Sequence, residues 1–180
     1  MTENQTYETL IKKLTQRPVQ RYNVEWRFLE ENLARWTSEK SLAPLNLDPE
    51  FQRLHVWTED QQTKYVEFIL NGGQTGKEIY FNCVGWSSSY EGPFVIVDGK
   101  QRLQAVRQFL TNQLPIFGGF YKKDIGGYLP SNAEFLFNIN NLSSEAEVIR
   151  WYLEMNTGGT PHTPAEIEKA KQLLKEKGKP

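Results

Sequence analysis

Residues 94–110 change from a strand pattern to a helix pattern at a single Asp-Gly pair, and this change constrains the fold most strongly. Four residues with high strand preference, Phe94–Val97, run into Asp98-Gly99. Apolar residues then recur at helical spacing as far as Leu110. A helix that begins here presents N–H groups without intrahelical partners and a positive dipole end, and both features favour bound phosphate.

Four polar residues gather at this turn: Asp98, Lys100, Gln101 and Arg102. In a purely structural interpretation, Asp98 is the N-cap of the helix, Gln101 completes a capping box and Gly99 relieves a tight turn. In a functional interpretation, Asp98 binds a divalent cation while Lys100 or Arg102 neutralises phosphate oxygens. Because Asp98 and phosphate repel each other without a cation, the functional interpretation requires Mg²⁺ or a similar ion.

A second polar cluster, Glu50-Phe-Gln-Arg53, precedes a predicted helix. One interpretation pairs Arg53 with a surface carboxylate such as Glu50. The other places Gln52 and Arg53 in one cleft with the turn at Asp98, where Arg53 holds phosphate and Gln52 contacts a base, a ribose or a water. The sequence alone does not show that the two clusters converge.

The remaining elements follow from periodicity and turn signals. Apolar residues at helical spacing predict helices over residues 5–16, 25–37, 58–70, 144–155 and 164–174. Strand patterns cover residues 19–23, 78–84 and 133–139. The segments 41–49 and 111–132 are rich in turn residues and are predicted to be loops.

Composition limits the classes of partner. The chain has a formal net charge of −1 at pH 7, which argues against tight non-specific DNA binding through a global basic field. Nucleic acid, if bound, has to meet a local patch. Five Trp, eight Tyr and ten Phe indicate an aromatic-rich core, although part of this set could form an exposed stacking surface.

Cysteine and histidine usage limits the chemistry. The single cysteine, Cys83, excludes an internal disulfide and a multi-cysteine metal site, and it is expected to pack in the core. His55 and His162 are too few for a histidine metal cluster. No apolar run approaches the roughly 18 residues of a membrane helix, and the polar start lacks a signal-peptide pattern. We therefore expect a soluble, cytoplasmic protein with no membrane partner.

Four blocks of the sequence resemble the DUF262 group of the ParB/sulfiredoxin superfamily, and they occur in the order expected for that group. They are Phe51-Gln-Arg-x-x-Val-Trp57, the helix end at Ile69-Leu70 followed by glycine, Val97-Asp-Gly-Lys-Gln-Arg-Leu103 and Asn156-Thr-Gly-Gly-Thr-Pro161. The group includes the N-terminal domain of GmrSD-type modification-dependent restriction enzymes. The resemblance spans about residues 20–174, which is nearly the whole chain.

The resemblance implies an α/β (α+β) fold in which helices surround a small mixed, ParB/sulfiredoxin-like sheet, with a C-terminal helical extension. The residue pattern adds a leading helix at residues 1–18 before one domain at 19–174 and a frayed tail at 175–180. The sulfiredoxin activity of the superfamily is not expected, because Cys83 lies in a predicted strand away from the turn at Asp98.

The resemblance also implies an Asp-Gly-Gln-Gln-Arg-type motif that binds and hydrolyses nucleoside triphosphate with Mg²⁺. Lys100 replaces the first glutamine; it keeps a donor and adds charge, and leaves a glutamine-specific role open. Asp98 is the candidate metal ligand. Carried over, the candidate catalytic residues are Asp98, Gln101 and Arg102. The candidate nucleotide- or phosphate-binding residues are Gln52, Arg53, Gly99, Lys100 and Arg102.

The turn after the helix predicted over residues 144–155 is a candidate lid formed by Asn156, Gly158, Gly159 and Thr160. Its structural alternative is a helix stop followed by a β-turn.

The function implied by the resemblance is Mg²⁺-dependent NTP binding and hydrolysis linked to DNA restriction or phage-host defence, in a bacterium or a phage-infected host cell. Nucleotide, DNA and a separate nuclease subunit are the expected partners, because the HNH-like nuclease domain of restriction-type members has no counterpart in this sequence. Two alternatives stay open: a non-catalytic nucleotide- or DNA-binding adaptor for a separate nuclease, and a ParB-like metal-dependent DNase.

Overall fold

A computed structural model of the chain describes residues 20–52, 56–156 and 164–177, and shows a five-stranded mixed sheet with five helices. The strands are β1 (Gln20–Glu25), β2 (Leu45–Asn46), β3 (Glu78–Cys83), β4 (Phe94–Asp98) and β5 (Glu134–Asn140). The helices are α1 (Leu29–Thr37), α2 (Glu59–Leu70), α3 (Lys100–Leu110), α4 (Glu145–Asn156) and α5 (Pro164–Lys177). The predicted α+β class with a small mixed sheet is confirmed. The predicted leading helix lies outside the described residues.

The sheet has the order β1-β5-β3-β4-β2. The β1/β5 and β3/β4 pairs are antiparallel, while the β3/β5 and β2/β4 pairs are parallel. Because β2 contains only Leu45 and Asn46, it pairs with β4 only as far as Val95. The end of β4 that leads to Asp98 is therefore open to other partners on the β2 side.

Helices cover both faces of the sheet. One face packs Phe81, Ile96 and Phe137 against α1, α2 and α3, and these three side chains are fully buried. The other face packs Val95 and Val97 against α4 and α5. This second face is covered by a smaller set of apolar residues: Phe51, Val148, Ile149, Trp151, Tyr152 and Ala170. The strand β4 is thus buried on both faces, which explains its unbroken apolar run.

Much of the aromatic content forms one cluster around Trp36 of α1. Its ring centroid lies 5.2 Å from that of Phe94 and 5.6 Å from that of Phe137. Edge contacts to Tyr22 and Phe81, both at 5.9 Å, complete the cluster across β1 and β3. The predicted aromatic-rich core is therefore confirmed, and such tilted and edge contacts add to the stability gained from burial alone.

Three element boundaries differ from the sequence prediction. The helix expected from residue 25 begins at Leu29, because the N–H of Trp26 is still bonded to the carbonyl oxygen of Ala133 at 2.9 Å and a 3-10 turn intervenes. The predicted loop 41–49 contains the short strand β2. The last helix continues to Lys177, whose ammonium pairs with Glu145 at 3.1 Å.

The capping box predicted at the start of α2 is confirmed. Thr58 accepts a bond from the Gln61 N–H at 3.2 Å, and the Gln61 side chain accepts one from the Thr58 N–H at 2.9 Å.

Across residues 20–52, 56–156 and 164–177, no helix combines the length and apolar character needed to cross a membrane.

Candidate functional site

The candidate site is built around Gly99, which joins β4 to α3. Gly99 has a left-handed backbone, with φ 94° and ψ 6°, and is the N-cap of α3. A Cβ atom on it would lie 2.5 Å from Cδ1 of Ile79 and 3.2 Å from the carbonyl oxygen of Glu78. The turn therefore passes so close to β3 that only glycine fits without displacement of its neighbours.

The first turn of α3 places three backbone N–H groups ahead of the first helical hydrogen bond. The Leu103 N–H donates to the Gly99 carbonyl oxygen at 2.9 Å, so the N–H groups of Lys100, Gln101 and Arg102 precede the regular helical bonds. Among the described residues no side chain caps this helix, and its first turn carries no acidic residue. The positive end of the helix dipole is therefore available to an anion.

The capping-box interpretation of this turn is wrong. Asp98 is the last residue of β4 and does not cap α3. The side-chain oxygen of Gln101 instead accepts hydrogen bonds from the N–H groups of Val56 at 2.9 Å and Trp57 at 3.1 Å. Gln101 is only 8% exposed, so its carbonyl group holds the segment that follows Arg53 against α3.

Asp98 and Arg102 form an ion pair at the turn. The Arg102 Nη2 lies 2.7 Å from the Asp98 carboxylate and also donates to the carbonyl oxygen of Glu78 at 2.9 Å. The Arg102 side chain is 25% exposed and the Asp98 side chain is 33% exposed. The Nε atom of Arg102 is buried and has no partner among the described residues. A single guanidinium nitrogen thus makes both contacts, and the group keeps a donor that these contacts do not use.

Lys100 forms a second ion pair, with Asp48 in the segment after β2. The Lys100 side chain is 16% exposed, whereas that of Asp48 is 72% exposed. The backbone of Asp48 is held by Asn46, because the Asp48 N–H donates to the Asn46 side-chain oxygen at 2.8 Å. Sequence reasoning did not mark Asp48 as a site residue. The site therefore has two cations and two carboxylates in its immediate surroundings.

Gln52 lies against the open edge of β4. It contacts the strand at Val97, one residue before Asp98. Its Nε2 donates to the Val97 carbonyl oxygen at 2.6 Å and lies 3.4 Å from that of Ile96. The side-chain amide thus replaces the strand partner that β2 is too short to supply. The structure places Gln52 beside the residue that precedes Asp98 and commits its amide nitrogen to the backbone of β4.

Several predicted residues lie outside the described part of the chain. These are Arg53 of the second polar cluster and Gly158, Gly159 and Thr160 of the candidate lid. Asn156 is described as the last residue of α4, and its Nδ2 donates to the Tyr152 carbonyl oxygen at 2.7 Å within the same helix. The lid and the phosphate contact of Arg53 stay predictions.

Tyr80 lies beside Asp98, although the sequence did not mark it as a site residue. It is paired in register with Asp98 on β4 and with Asn138 on β5. On the far side of Asn138, the Arg21 Nε donates to the Asn138 side-chain oxygen at 2.8 Å. Burial raises the pKa of Tyr80, and the carboxylates of Glu78 and Asp98 raise it further. The phenol therefore stays protonated at neutral pH and is a hydrogen-bond donor next to the turn.

The donor set fits a cation held jointly with phosphate better than a cation held by protein alone. The described residues contain no group of three or more His, Cys, Asp or Glu side chains placed to hold a metal ion. Asp98 offers one partly exposed carboxylate at the turn. Mg²⁺ commonly takes one or two carboxylates and completes its shell with phosphate oxygens and water. Asp98 could serve as that carboxylate.

A cavity of about 330 Å³ lies on the α4 side of the sheet, away from this turn. Val95, near the start of β4, lines it, whereas Asp98 ends the same strand. Apolar and polar side chains from the segment before Gln52, from β3 and the loop that joins it to β4, and from the start of α4 also line it: Phe51, Asn82, Val84, Pro93, Ser144 and Val148. The cavity and the β4–α3 turn are therefore separate features.

Cys83 is buried at the end of β3, as the sequence predicted. Burial raises the pKa of its thiol to about 11. At pH 8 the native protein should therefore react with an aromatic disulfide reagent at least about 100-fold more slowly than the urea-unfolded chain, since thiolate is scarce and covered. Equal rates for the native and unfolded forms would contradict the burial of this thiol.

Comparisons with known proteins identify the family. The family described as the N-terminal domain of the GmrSD restriction endonuclease matches residues 33–135, more than half of the chain. This match includes the β4–α3 turn, Gln52 and Asp48. Comparisons with curated proteins and with solved structures find no match. The chain therefore belongs to the family of GmrSD restriction endonuclease N-terminal domains.

Proposed function

We propose that the β4–α3 turn binds a nucleoside triphosphate together with Mg²⁺, and that this binding serves DNA restriction. The observation that carries the proposal is Arg102 at the start of α3, because its buried Nε has no partner among the described residues and the first turn of the helix carries no acidic residue. An anion at this place would meet backbone N–H groups, a helix dipole and a guanidinium group together.

Charge balance explains why the proposal includes a cation. Arg102 and Lys100 are each paired with a carboxylate, Asp98 and Asp48 respectively. A triphosphate brought to these two pairs would meet no net positive charge from the side chains. Mg²⁺ held by Asp98 would neutralise that carboxylate and polarise the phosphate oxygens, leaving Arg102 free to bind phosphate.

The surrounding residues position this arrangement. Gln52 fixes the backbone of β4 directly before Asp98, and Gln101 holds the segment that follows Arg53 against α3. Tyr80 offers a protonated phenol beside Asp98. In our proposal, Asp98 would hold the cation, which would supply Lewis-acid activation for the attack of water on the terminal phosphate.

The restriction role rests on the family. Its description names a restriction endonuclease, and an NTP-binding domain in such an enzyme would control cleavage by a separate nuclease unit on DNA, as part of phage-host defence. A second candidate is a nucleotide-binding switch without turnover. It is favoured by the two ion pairs at the turn, which commit Lys100 and Arg102 to Asp48 and Asp98.

The experiment measures binding by calorimetry and phosphate release with each of the four NTPs and Mg²⁺. Asp98→Ala should lower turnover at least tenfold while reducing affinity less, because it removes the metal ligand. Arg102→Ala should weaken binding about tenfold, since it removes a charged phosphate contact. Asp60→Ala is the matched control, because Asp60 forms an i,i+4 pair with Lys64 at the same 2.7 Å on an exposed face of α2.

Three outcomes separate the candidates. Turnover that is lost in Asp98→Ala and kept in Asp60→Ala supports the NTPase. Binding without phosphate release in the wild type supports the switch. If the wild type neither binds nor hydrolyses any NTP, the proposed site is wrong. Asp98→Ala and Arg102→Ala also remove the Asp98–Arg102 ion pair, which could lower the stability of the fold. Thermal unfolding of each variant shows whether lost binding or turnover reflects the site itself or a less stable protein.

A further inference from the structure

We propose that the loop between α3 and β5 carries a stacking surface for the unpaired bases of single-stranded DNA. This surface, the aromatic loop, consists of Phe117, Phe120, Tyr121, Lys122 and Lys123. The choice of DNA over RNA rests on the restriction role proposed above, whereas the stacking surface itself does not depend on nucleotide binding at the β4–α3 turn.

The tip of the aromatic loop presents two phenyl rings to solvent. Ile116 and Phe120 close a small hairpin through two backbone bonds of 2.8 Å each. Phe117 and Phe120 are 45% and 55% exposed. Phe117 has a left-handed backbone with φ 47°, a conformation that bulky residues rarely adopt. Strained positions of this kind persist where the surrounding structure enforces them, and they concentrate at functional sites.

The hairpin is held in place by α2. The N–H of Phe117 donates to the Glu67 carboxylate at 2.5 Å, and Thr63 donates to the Pro115 carbonyl oxygen at 3.0 Å. The two α2 residues are one helical turn apart, so both anchor the loop from one side of that helix. A surface fixed before binding loses less conformational entropy when a partner binds.

The charges of the aromatic loop suit a nucleic-acid backbone. The Lys123 ammonium lies 5.6 Å from the centroid of the Tyr121 ring. No ion pair within the described ranges involves Lys122 or Lys123. The neighbouring carboxylate of Asp124 accepts the N–H of Tyr121 at 2.8 Å. Two cations are therefore available to phosphates next to rings that are available to bases.

The side-chain types favour bases over an apolar partner. In the loop between α3 and β5, Leu114 and Ile116 are buried and Ile125 and Leu129 are partly buried against the core, whereas the exposed large side chains are aromatic. Tyr128, 75% exposed, continues this pattern beyond the 3-10 turn at Lys122–Ile125. An aromatic face stacks on any base, while docking to lipid or protein normally adds exposed aliphatic side chains. A chain with a net charge of −1 can still bind DNA through such a local patch.

The test measures binding of fluorescently labelled oligothymidylate, oligouridylate and duplex DNA by anisotropy, without added nucleotide. The Phe117→Ala/Phe120→Ala double variant should bind oligothymidylate at least tenfold more weakly than the wild type. Phe28→Ala should leave affinity unchanged. Phe28 is a matched control, because it is 46% exposed and lies 4.8 Å from the Arg27 guanidinium, yet it follows β1.

The lysines have a separate readout. Lys122→Gln/Lys123→Gln should reduce the slope of log affinity against log salt concentration by about 1.4, because two fewer phosphates of the single strand are neutralised on binding. The proposal is overturned if the double phenylalanine variant, still folded by its unfolding transition, binds oligothymidylate like the wild type. It is also overturned if oligouridylate or anionic lipid vesicles bind more tightly than oligothymidylate and lose binding in the same variant.

Failure of this proposal is distinguishable from failure at the β4–α3 turn. The Asp98→Ala variant should bind oligothymidylate with unchanged affinity, and Phe117→Ala/Phe120→Ala should bind NTP with unchanged affinity. Loss of both activities in either variant would contradict two independent sites.

Discussion

Replacing Gly99 by alanine should lower the free energy of unfolding by about 2 to 5 kcal/mol. Two costs combine. The φ of 94° is left-handed, which costs an L-residue about 1 to 2 kcal/mol. The new Cβ would lie 2.5 Å from Cδ1 of the fully buried Ile79 and 3.2 Å from the Glu78 carbonyl oxygen. Displacement of such buried neighbours costs about 1 to 3 kcal/mol. Equilibrium urea unfolding measures the sum.

Gly72 provides the matched control for this substitution. It has a similar φ of 98°, but no atom lies within 4 Å of a Cβ built there. Gly72→Ala should therefore show only the backbone cost, about 1 to 2 kcal/mol. Adding Ile79→Val to Gly99→Ala removes the clashing Cδ1 and should make the double variant more stable than the sum of the single effects predicts. Equal losses for Gly99→Ala and Gly72→Ala would show that the close approach to β3 is absent.

The position of this turn could be predicted because both of its causes are local. A buried strand requires consecutive apolar residues, and the helix packed on one side requires apolar residues at a different period. The change between the two patterns marks Asp98 and Gly99. The same local reasoning predicted the capping box at Thr58, whose two bonds join residues only three positions apart.

The partners of the turn could not be predicted, because they are set by packing between distant segments. Lys100 pairs with Asp48, which lies 52 residues earlier in the chain. Tyr80 meets Asp98 only because the β3/β4 register shifts between Tyr80 and Phe81. A shift of this kind changes which side chains are neighbours without leaving a trace in the alternation of the strand. The Asp-Pro step at Asp48 was the available signal for a turn there, but it does not indicate a partner.

The function of Gln101 shows the same limit. Its position three residues after Asp98 suggested a capping box, and the family motif suggested a catalytic role. The structure instead commits its side-chain oxygen to the N–H groups of Val56 and Trp57. Sequence spacing cannot reveal this bond, because it joins α3 to a segment more than 40 residues away. We therefore propose that Gln101 positions the segment that follows Arg53, and its catalytic role stays a prediction.

Gln101→Ala should lower the free energy of unfolding by about 2 to 4 kcal/mol, because it leaves two N–H donors without an acceptor beside a largely buried position. Gln101→Glu keeps an acceptor oxygen at the positive end of α3 and should lose less. Urea unfolding measures both variants. Hydrogen exchange should show faster exchange at the Val56 and Trp57 amides in Gln101→Ala only.

Gln104→Ala, which removes the same atoms from a half-buried position on α3, should change stability by no more than about 0.5 kcal/mol. The comparison also separates positioning from chemistry. If Gln101 acts by holding the 51–57 segment, Gln101→Glu should keep NTP binding and turnover while Gln101→Ala loses both together. If Gln101→Glu instead binds NTP normally but loses turnover, the amide itself takes part in the reaction, and the positioning role is insufficient. Equal stability of Gln101→Ala and Gln104→Ala would show that the two amide bonds do not hold the segment.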